Sequence, residues 1–453
     1  MTRRVLITGL GPISGLGQGI DPTWQQLLAG HGAVAPIREF DASKFACRVA
    51  AQIDGFNVNQ YVPKTYRKAV KVMARDIALA VAAAELAARD AGLVTRGNAA
   101  EGASTSYDPT RMGVHIGAGL IAAELDELTA ALAEARDERG GFDYHKWGRE
   151  GMTHLTPLWL LKYLPNMLAC HVTIIHDAQG PSNTITCGES SALLSVGESL
   201  RVIQRGAADL CFCGGAESKL NPMAYLRQHM TGWLNPHGND RPATAVRPFC
   251  QTAAGTAIGE GGGIVILESL DTFRRRAANG SAKAYAEVLG FGASQTLNPA
   301  VRNLMPDPQG RGLAAAIRAA LRDAAVTPAQ IDLVIPFGVG VPACDHAEAA
   351  ALRAVFGSGE GGDGDGGARQ PVVASIKSMV GLCGAGVGGL DVCAAAKALA
   401  EQTVPAVINC EQPLDGIRAG ASGPRRQPLE HVLIVNTGMG GQNAAMVLKR
   451  FQA

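Results

Sequence analysis

Residues 180–217 read GPSNTITCGESSALLSVGESLRVIQRGAADLCFCGGAE, and this stretch decides the fold. It predicts a tight turn at Gly180-Pro181-Ser182, a β-rich run over 183–187, an abrupt start at Gly188-Glu189-Ser190, a helix and a second strand. Ala192, Leu193, Val196, Leu200, Val202 and Ile203 recur at three- and four-residue spacing, the signature of a helix with one buried face, and Gly206 supplies a stop. The run 210–213 is short and wholly apolar, as in a central strand covered on both faces. A strand that enters a helix through small residues presents one side chain at the helix N-terminus, where free amides and the positive dipole end favour negative charge. That side chain is Glu189.

From the GPS turn to the GGAE strand end, the stretch resembles the nucleophile elbow of the β-ketoacyl-acyl carrier protein synthases, condensing enzymes of the thiolase fold. Aligned without a gap, the family's active-site cysteine position falls on Glu189, and Cys187 lies two residues earlier. The resemblance implies a five-layered α/β/α/β/α thiolase-like fold built from two pseudo-repeated halves. These are expected over 1–268, which holds the elbow, and 269–453.

The rest of the chain bounds the function. It has 453 residues, 41 Lys and Arg against 40 Asp and Glu, and a formal net charge of +1, so nothing in its charge points to nucleic acid or an anionic membrane. It is 47% apolar, only 5% aromatic and rich in Ala and Gly, which suits a buried α/β sheet with closely packed helices. No apolar run approaches the ~20 residues that span a bilayer, and MTRRVLITGLG enters a strand without a cleavable leader, so a cytoplasmic protein is expected. Ten cysteines without paired spacing read as reduced thiols, with no metal site and no cofactor expected. The turn GLGPISGLG after the first strand lacks GxGxxG spacing and a downstream acidic ribose ligand, so dinucleotide binding is set aside.

A long helical pattern is expected over 64–92, headed by Lys64, Arg67, Lys68 and Lys71. These four are either a solvated helix start or, as the resemblance implies, a docking patch for an acidic acyl carrier protein. Residues 134–154 form a charged excursion, after which Trp159, Tyr163, Met167 and Leu168 read either as interface and acyl-pocket residues or as core. His171 and His176 are expected to flank a β-branched strand as structural residues. The second half is expected to repeat strand and helix: strand 284–290, helix 312–324, strand 331–336, helix 345–356, a glycine and aspartate loop, strand 372–375 and helix 386–401. Paired strands near 404–409 and 432–437 close the pattern.

Condensation in the family uses a cysteine thiolate and two histidines that assist decarboxylation and hold the enolate. The first histidine belongs to AHGTxTPxxD, which this chain matches with PFGVGVPACD, placing Phe337 there; the second belongs to KSxxGHxxGAAG, matched by KSMVGLCGAGVG, placing Leu382 there. Glu189, Phe337 and Leu382 therefore replace the whole Cys-His-His set. The loop after Arg247-Pro248-Phe249 also differs, with Ala254 and Thr256 at usually charged or aromatic positions. Lys377, Asp345 and Glu348 match the polar scaffold, and Met439 in GMGGQN stands where the family has a gating phenylalanine. An ion pair between Lys377 and Glu189 is one expectation; the other is that Glu189 bonds only helix-terminal amides.

The expected function is that of a non-condensing homologue similar to the chain length factor subunits of type II polyketide and polyene synthases. Its partners would be an active ketosynthase in a heterodimer, or a second copy in a homodimer, and an acyl carrier protein. Two enzymatic alternatives stand beside it: Glu189 as base or nucleophile on an acyl thioester, and a condensing synthase using Cys187.

Overall fold

In the computed structural model, which describes residues 3–100, 102–278, 280, 282–296, 305–357 and 370–452, the two halves trace the same path. The first runs β1 (Val5–Ser14), α1 (Arg75–Asp90), β2 (Met112–Gly117), α2 (Met167–His176), β3 (Ser182–Ile185), α3 (Ser191–Gln204), β4 (Leu210–Glu217) and β5 (Gly261–Ser269). The second runs β6 (Ala286–Gln295), α4 (Arg311–Ala324), β7 (Leu333–Ile335), α5 (Pro342–Phe356), β8 (Val372–Val373), α6 (Val387–Glu401), β9 (His431–Thr437) and β10 (Gln442–Arg450).

Strand order is β1-β5-β4-β2-β3 in the first half and β6-β10-β9-β7-β8 in the second, joined where β1 pairs with β6 at Leu6 with Glu287 and Ile7 with Ala286. Both halves share one pairing pattern: β2 is parallel to its two neighbours, as is β7, and the remaining contacts are antiparallel. Helices α1 and α2 cover the outer face of the first half, and α4 with α5 that of the second. Between the halves lie α3 and α6; α3 packs on β2, β4, β6 and β10, and α6 on β1, β5, β9 and β10. The result is the five-layered thiolase-like fold.

These two central helices are apolar nearly all round because both faces meet a sheet. Of α3, Ala192, Leu193, Val196, Leu200, Val202 and Ile203 are all 0% exposed. The approach of α6 to β5 needs glycine on both sides: a Cβ on Gly263 would lie 2.5 Å from the Gly389 backbone, and one on Gly389 would lie 2.1 Å from the Gly263 carbonyl.

Three sequence expectations are corrected. The 64–92 pattern is not one helix: Lys64–Val72 is a 3-10 segment, Met73 and Ala74 are extended, and α1 begins at Arg75. The break turns the basic segment outward while the Ala-rich remainder packs under the sheet. His171 and His176 lie within α2, not beside a strand; Tyr66 Oη meets His171 Nδ1 and Thr95 Oγ1 meets His176 Nδ1, each at 2.8 Å. Burial pushes their pKa values down to about 4 and about 3, so both are neutral structural residues. Residues near 404 and 432 do not pair with each other: Thr403–Val404 pairs with Arg425–Arg426, while β9 lies between β7 and β10. The glycine and aspartate loop falls largely outside the described residues.

Candidate functional site

The elbow is stapled at both ends. Gly188 adopts φ +55°, and a single 3-10 turn, Gly188–Ser190, leads into α3. Ser191 Oγ accepts from the Cys187 amide at 2.8 Å and donates to the Gly188 carbonyl at 2.6 Å, while Ser190 Oγ donates to the Gln442 carbonyl at 2.9 Å. Glu189, 2% exposed, is thereby fixed where the two halves meet. Its Oε2 accepts from the Met439 amide at 3.1 Å, and its Oε1 lies 3.8 Å from Lys219 Nζ.

Lys219 also faces Glu217 Oε2 at 3.6 Å, and Glu217 accepts from the Ala385 amide at 2.6 Å. Burial opposes the charge on Lys219, but Glu217 and Glu189 outweigh it and raise its pKa. Burial also raises Glu217, and pushes Asp76, next in the chain of acids, up to about 8 with help from the Glu217 charge. Two glycines make room for Glu217: a Cβ on Gly119 or Gly384 would come within 1.9 Å of its carboxylate. Lys219 was absent from the sequence expectations. The signal was there: after a strand ending at Glu217, residue i+2 falls on the same face.

Lys377 does not pair with Glu189. It is fully buried, and its Nζ donates to Asp391 Oδ1 and to the Pro336 carbonyl, both at 2.6 Å. Asp391 Oδ2 accepts from Asn436 Nδ2 at 3.0 Å, and burial pushes Asp391 up to about 6. The ammonium thus ties α6 and β9 to the loop after β7 and is spent there, which is why it is unavailable to the elbow. Asp345 and Glu348 do the same for the loop around residue 337. Asp345 accepts from the amides of Phe249, Val339 and Gly340, and Glu348 from those of Phe337 and Gly338. Burial pushes the two up to about 7 and about 8.

Phe337 and Leu382 are each 0% exposed and belong to one apolar cluster with Trp233, Met379 and Val380. Burying side chains of this size contributes about 1.5–3 kcal/mol apiece. Neither offers a polar atom, and neither lines a cavity beside Glu189. Cys187 is half-buried, and burial pushes its thiol pKa up, away from the thiolate.

A cleft of about 480 Å³ opens at Glu189, lined also by Leu120, Thr186, Glu217, Lys219, Arg227 and Met439. A narrower apolar cavity lies beyond, lined by Trp233, Leu313, Cys344, Glu348, Met439 and Asn443 among others. Of the expected acyl-pocket residues, Met439 lines both. Trp159, Tyr163 and Met167 line neither; Trp159 packs against Tyr163 with the rings tilted and their centres 5.3 Å apart, Tyr163 is buried against Glu127, and Met167 packs on the first-half core. Lys64, Arg67, Lys68 and Lys71 are all exposed on the 3-10 segment. Among the described residues no group of three or more His, Cys, Asp or Glu side chains is placed to hold a metal ion, and no helix is long and apolar enough to cross a membrane. All ten cysteines are free thiols.

Two like halves around paired central helices, with an elbow residue at the start of one of them, define a thiolase-like ketosynthase frame. The comparisons agree. The β-ketoacyl synthase N-terminal domain matches residues 2–272 and the C-terminal domain residues 285–411. The chain is 31% identical to the 3-oxoacyl-[acyl-carrier-protein] synthase 2 of Vibrio cholerae, over 99% of each chain, and 31% identical to that of Synechocystis over the same shares. Among solved structures, the ishigamide ketosynthase/chain length factor is similar at TM-score 0.81 and 26% identity, covering all of both chains. A β-ketoacyl synthase from Burkholderia phymatum is similar at TM-score 0.82 and 27% identity, covering 99% of this chain and all of the other. The chain belongs to the β-ketoacyl synthase family.

Proposed function

We propose that this chain is a non-condensing ketosynthase homologue that serves, like a chain length factor, as partner subunit to an active ketosynthase in cytoplasmic acyl chain synthesis on an acyl carrier protein. One observation carries the reading: Glu189 stands at the elbow, and both histidine positions hold apolar side chains sealed in the core. Condensation needs a thiolate to accept the acyl group and donors to hold the developing enolate. The side chains of Phe337 and Leu382 carry no donor, and the Glu189 carboxylate is already engaged by Met439 and Lys219.

The frame is nonetheless kept, as a subunit that only binds and shapes would require. Residues 1–268 and 269–453 act as its two lobes. Among the described residues, strand β3 ends the sheet with one side unpaired, and Leu120, Leu158, Leu160 and Ile174, which precede it in the chain, are 55–68% exposed; together these support a second subunit against this half. The exposed cations Lys64, Arg67, Lys68 and Lys71 support docking of an acidic carrier protein, the partner named in the relatives' own titles.

A second reading rests on the cleft. Glu189 faces about 480 Å³ of open space beside Lys219, so its carboxylate is placed to activate water, or to attack, on an acyl thioester and release the carrier thiol. The experiment that separates the two is native mass spectrometry of the chain with and without an active ketosynthase, followed by condensation and thioesterase assays on Glu189→Gln. A partner subunit forms a heterodimer whose turnover survives the substitution. A carboxylate enzyme loses about 10²–10⁴-fold, and that loss with assembly intact would refute the partner reading.

A further inference from the structure

Cys250 directly follows Arg247-Pro248-Phe249 and lines neither cavity described above. Its sulfur is surrounded by donors. Arg247 Nη2 donates to it at 3.6 Å, and Thr252 Oγ1 lies 3.3 Å away. Arg247 Nε donates to that same hydroxyl oxygen at 2.9 Å, which leaves the Thr252 hydrogen to turn towards the sulfur. The backbone amides of Thr252 and Gln412 meet it as well. Burial opposes ionisation here, but the four donors, led by the Thr252 hydroxyl, outweigh it and bring the thiol pKa down to about 7. At Cys187 burial acts alone and pushes the thiol up. Cys250 is 2% exposed, yet its seat is shallow: Gln251, Thr252, Glu411 and Gln412 around it are exposed, and Arg247 pairs with Glu411 at the surface. A second thiol stands on the facing segment. The Gln251 amide donates to the Gln412 carbonyl and the Leu414 amide to the Phe249 carbonyl, both at 2.8 Å, and Cys250 pairs antiparallel with Pro413. Cys410, half-buried, begins that segment, and its thiol is pushed up to about 12 by burial first and next by the charge on Cys250.

We propose that Cys250 and Cys410 form a dithiol modification site, in which Cys250 is the nucleophile towards a small peroxide and Cys410 closes the oxidised sulfur into a disulfide. The Cys250 thiolate attacks one peroxide oxygen, the O–O bond breaks, and the other oxygen leaves as hydroxide and takes a proton to become water. Sulfur, oxidised by two electrons, is then a sulfenic acid. The Cys410 thiol gives up its proton as its sulfur attacks that of Cys250; the S–O bond breaks, and hydroxide leaves with the proton as a second water. A reducing thiol restores both side chains by exchange. The donor shell that holds the thiolate also serves the first step, since the Arg247 guanidinium and the Thr252 hydroxyl can bond the departing oxygen. The site goes beyond the partner-subunit reading and is independent of it, because neither thiol belongs to the elbow.

The test uses the whole chain and reads each cysteine by peptide mass spectrometry. Iodoacetamide alkylation is followed against pH. The Cys250 rate is expected to reach half its plateau near pH 7, where its thiol is half ionised, while the Cys187 rate is still climbing above pH ~8.5. Thr252→Val removes the leading donor from an exposed position and is expected to move the Cys250 midpoint up by about one pH unit. Thr252→Ser keeps the hydroxyl and is expected to restore the midpoint. Hydrogen peroxide is expected to give a Cys250–Cys410 disulfide that dithiothreitol reverses, and in Cys410→Ser a dimedone adduct at Cys250 in its place. Equal midpoints for Cys250 and Cys187, or a midpoint that Thr252→Val does not move, would overturn the site. A dimedone adduct at Cys250 with no disulfide in the unsubstituted chain would overturn the part given to Cys410. None of these readouts involves acyl transfer or heterodimer formation, so this reading and the partner-subunit reading fail separately.

Discussion

Replacing Lys377 by Met is expected to unsettle the joint between the halves, far from the elbow. The ammonium makes two 2.6 Å bonds in a site with no solvent exposure, one to Asp391 and one to the Pro336 carbonyl. Bonds to a charged group contribute about 1.5–3 kcal/mol each, and removing one member of a buried pair costs about 3–5 kcal/mol because the other is left uncompensated. Asp391 would keep only Asn436 at 3.0 Å. The expected loss is therefore about 3–5 kcal/mol, read as a lower urea midpoint at neutral pH. The pH dependence has a defined sign. Asp391 is already raised by burial to about 6, above the ~3.9 of an unfolded chain. Its share of stability is full below ~3.9 and lost as pH rises through the folded value. Without the ammonium that value rises further, so the variant should be least impaired in acid and most impaired above neutrality. Lys377→Met with Asp391→Leu removes both charges and should recover most of the loss, since a buried pair exchanged for apolar groups is near neutral. Glu189→Gln should give no such rescue. A single variant that costs under about 1 kcal/mol, or a double variant as unstable as the sum of its parts, would refute the assignment of Lys377 to Asp391.

Two further outcomes follow from the acids around Lys219. Gly119→Ala would place a Cβ 1.9 Å from Glu217 Oε1, so the carboxylate must leave its seat between Ala385 and Lys219; a loss of about 1–3 kcal/mol is expected in thermal unfolding, and an unchanged melting temperature would count against that seat. Asp76, pushed up to about 8 by burial and by Glu217, contributes stability that is full below ~3.9 and lost as pH rises through about 8. Asp76→Asn should flatten the decline in melting temperature between pH ~6 and ~9, and an unaltered slope would show that the group does not titrate there.

Much of the frame could be read from residues 180–217, because a strand, an elbow and a two-faced apolar helix leave their periods in the sequence. The alternation of the second half was equally legible, from 312–324 to 386–401. What misled were segments whose pattern is ambiguous locally. The β-branched run Val172-Thr173-Ile174-Ile175 reads as strand, yet tertiary packing of α2 against α1 makes it helix. The basic head of 64–92 shares the helical spacing of α1, and only the two extended residues Met73 and Ala74 separate them.

The site divides in the same way. The sequence by itself determined the family, the elbow at Glu189 and the apolar replacements Phe337 and Leu382, since each sits in a motif whose local spacing is rigid. Which charge meets which was decided only by the tertiary structure. Lys377 and Lys219 are both lysines just past the ends of apolar strands, and nothing in their neighbours along the chain says that the first is spent on Asp391, 14 residues on, or that the second reaches Glu189 from just beyond β4. Side-chain pairs of this kind are fixed by how two sheets close on α3 and α6. Burial then makes the choice strict, because a charge in a site without water must have its partner within bonding reach.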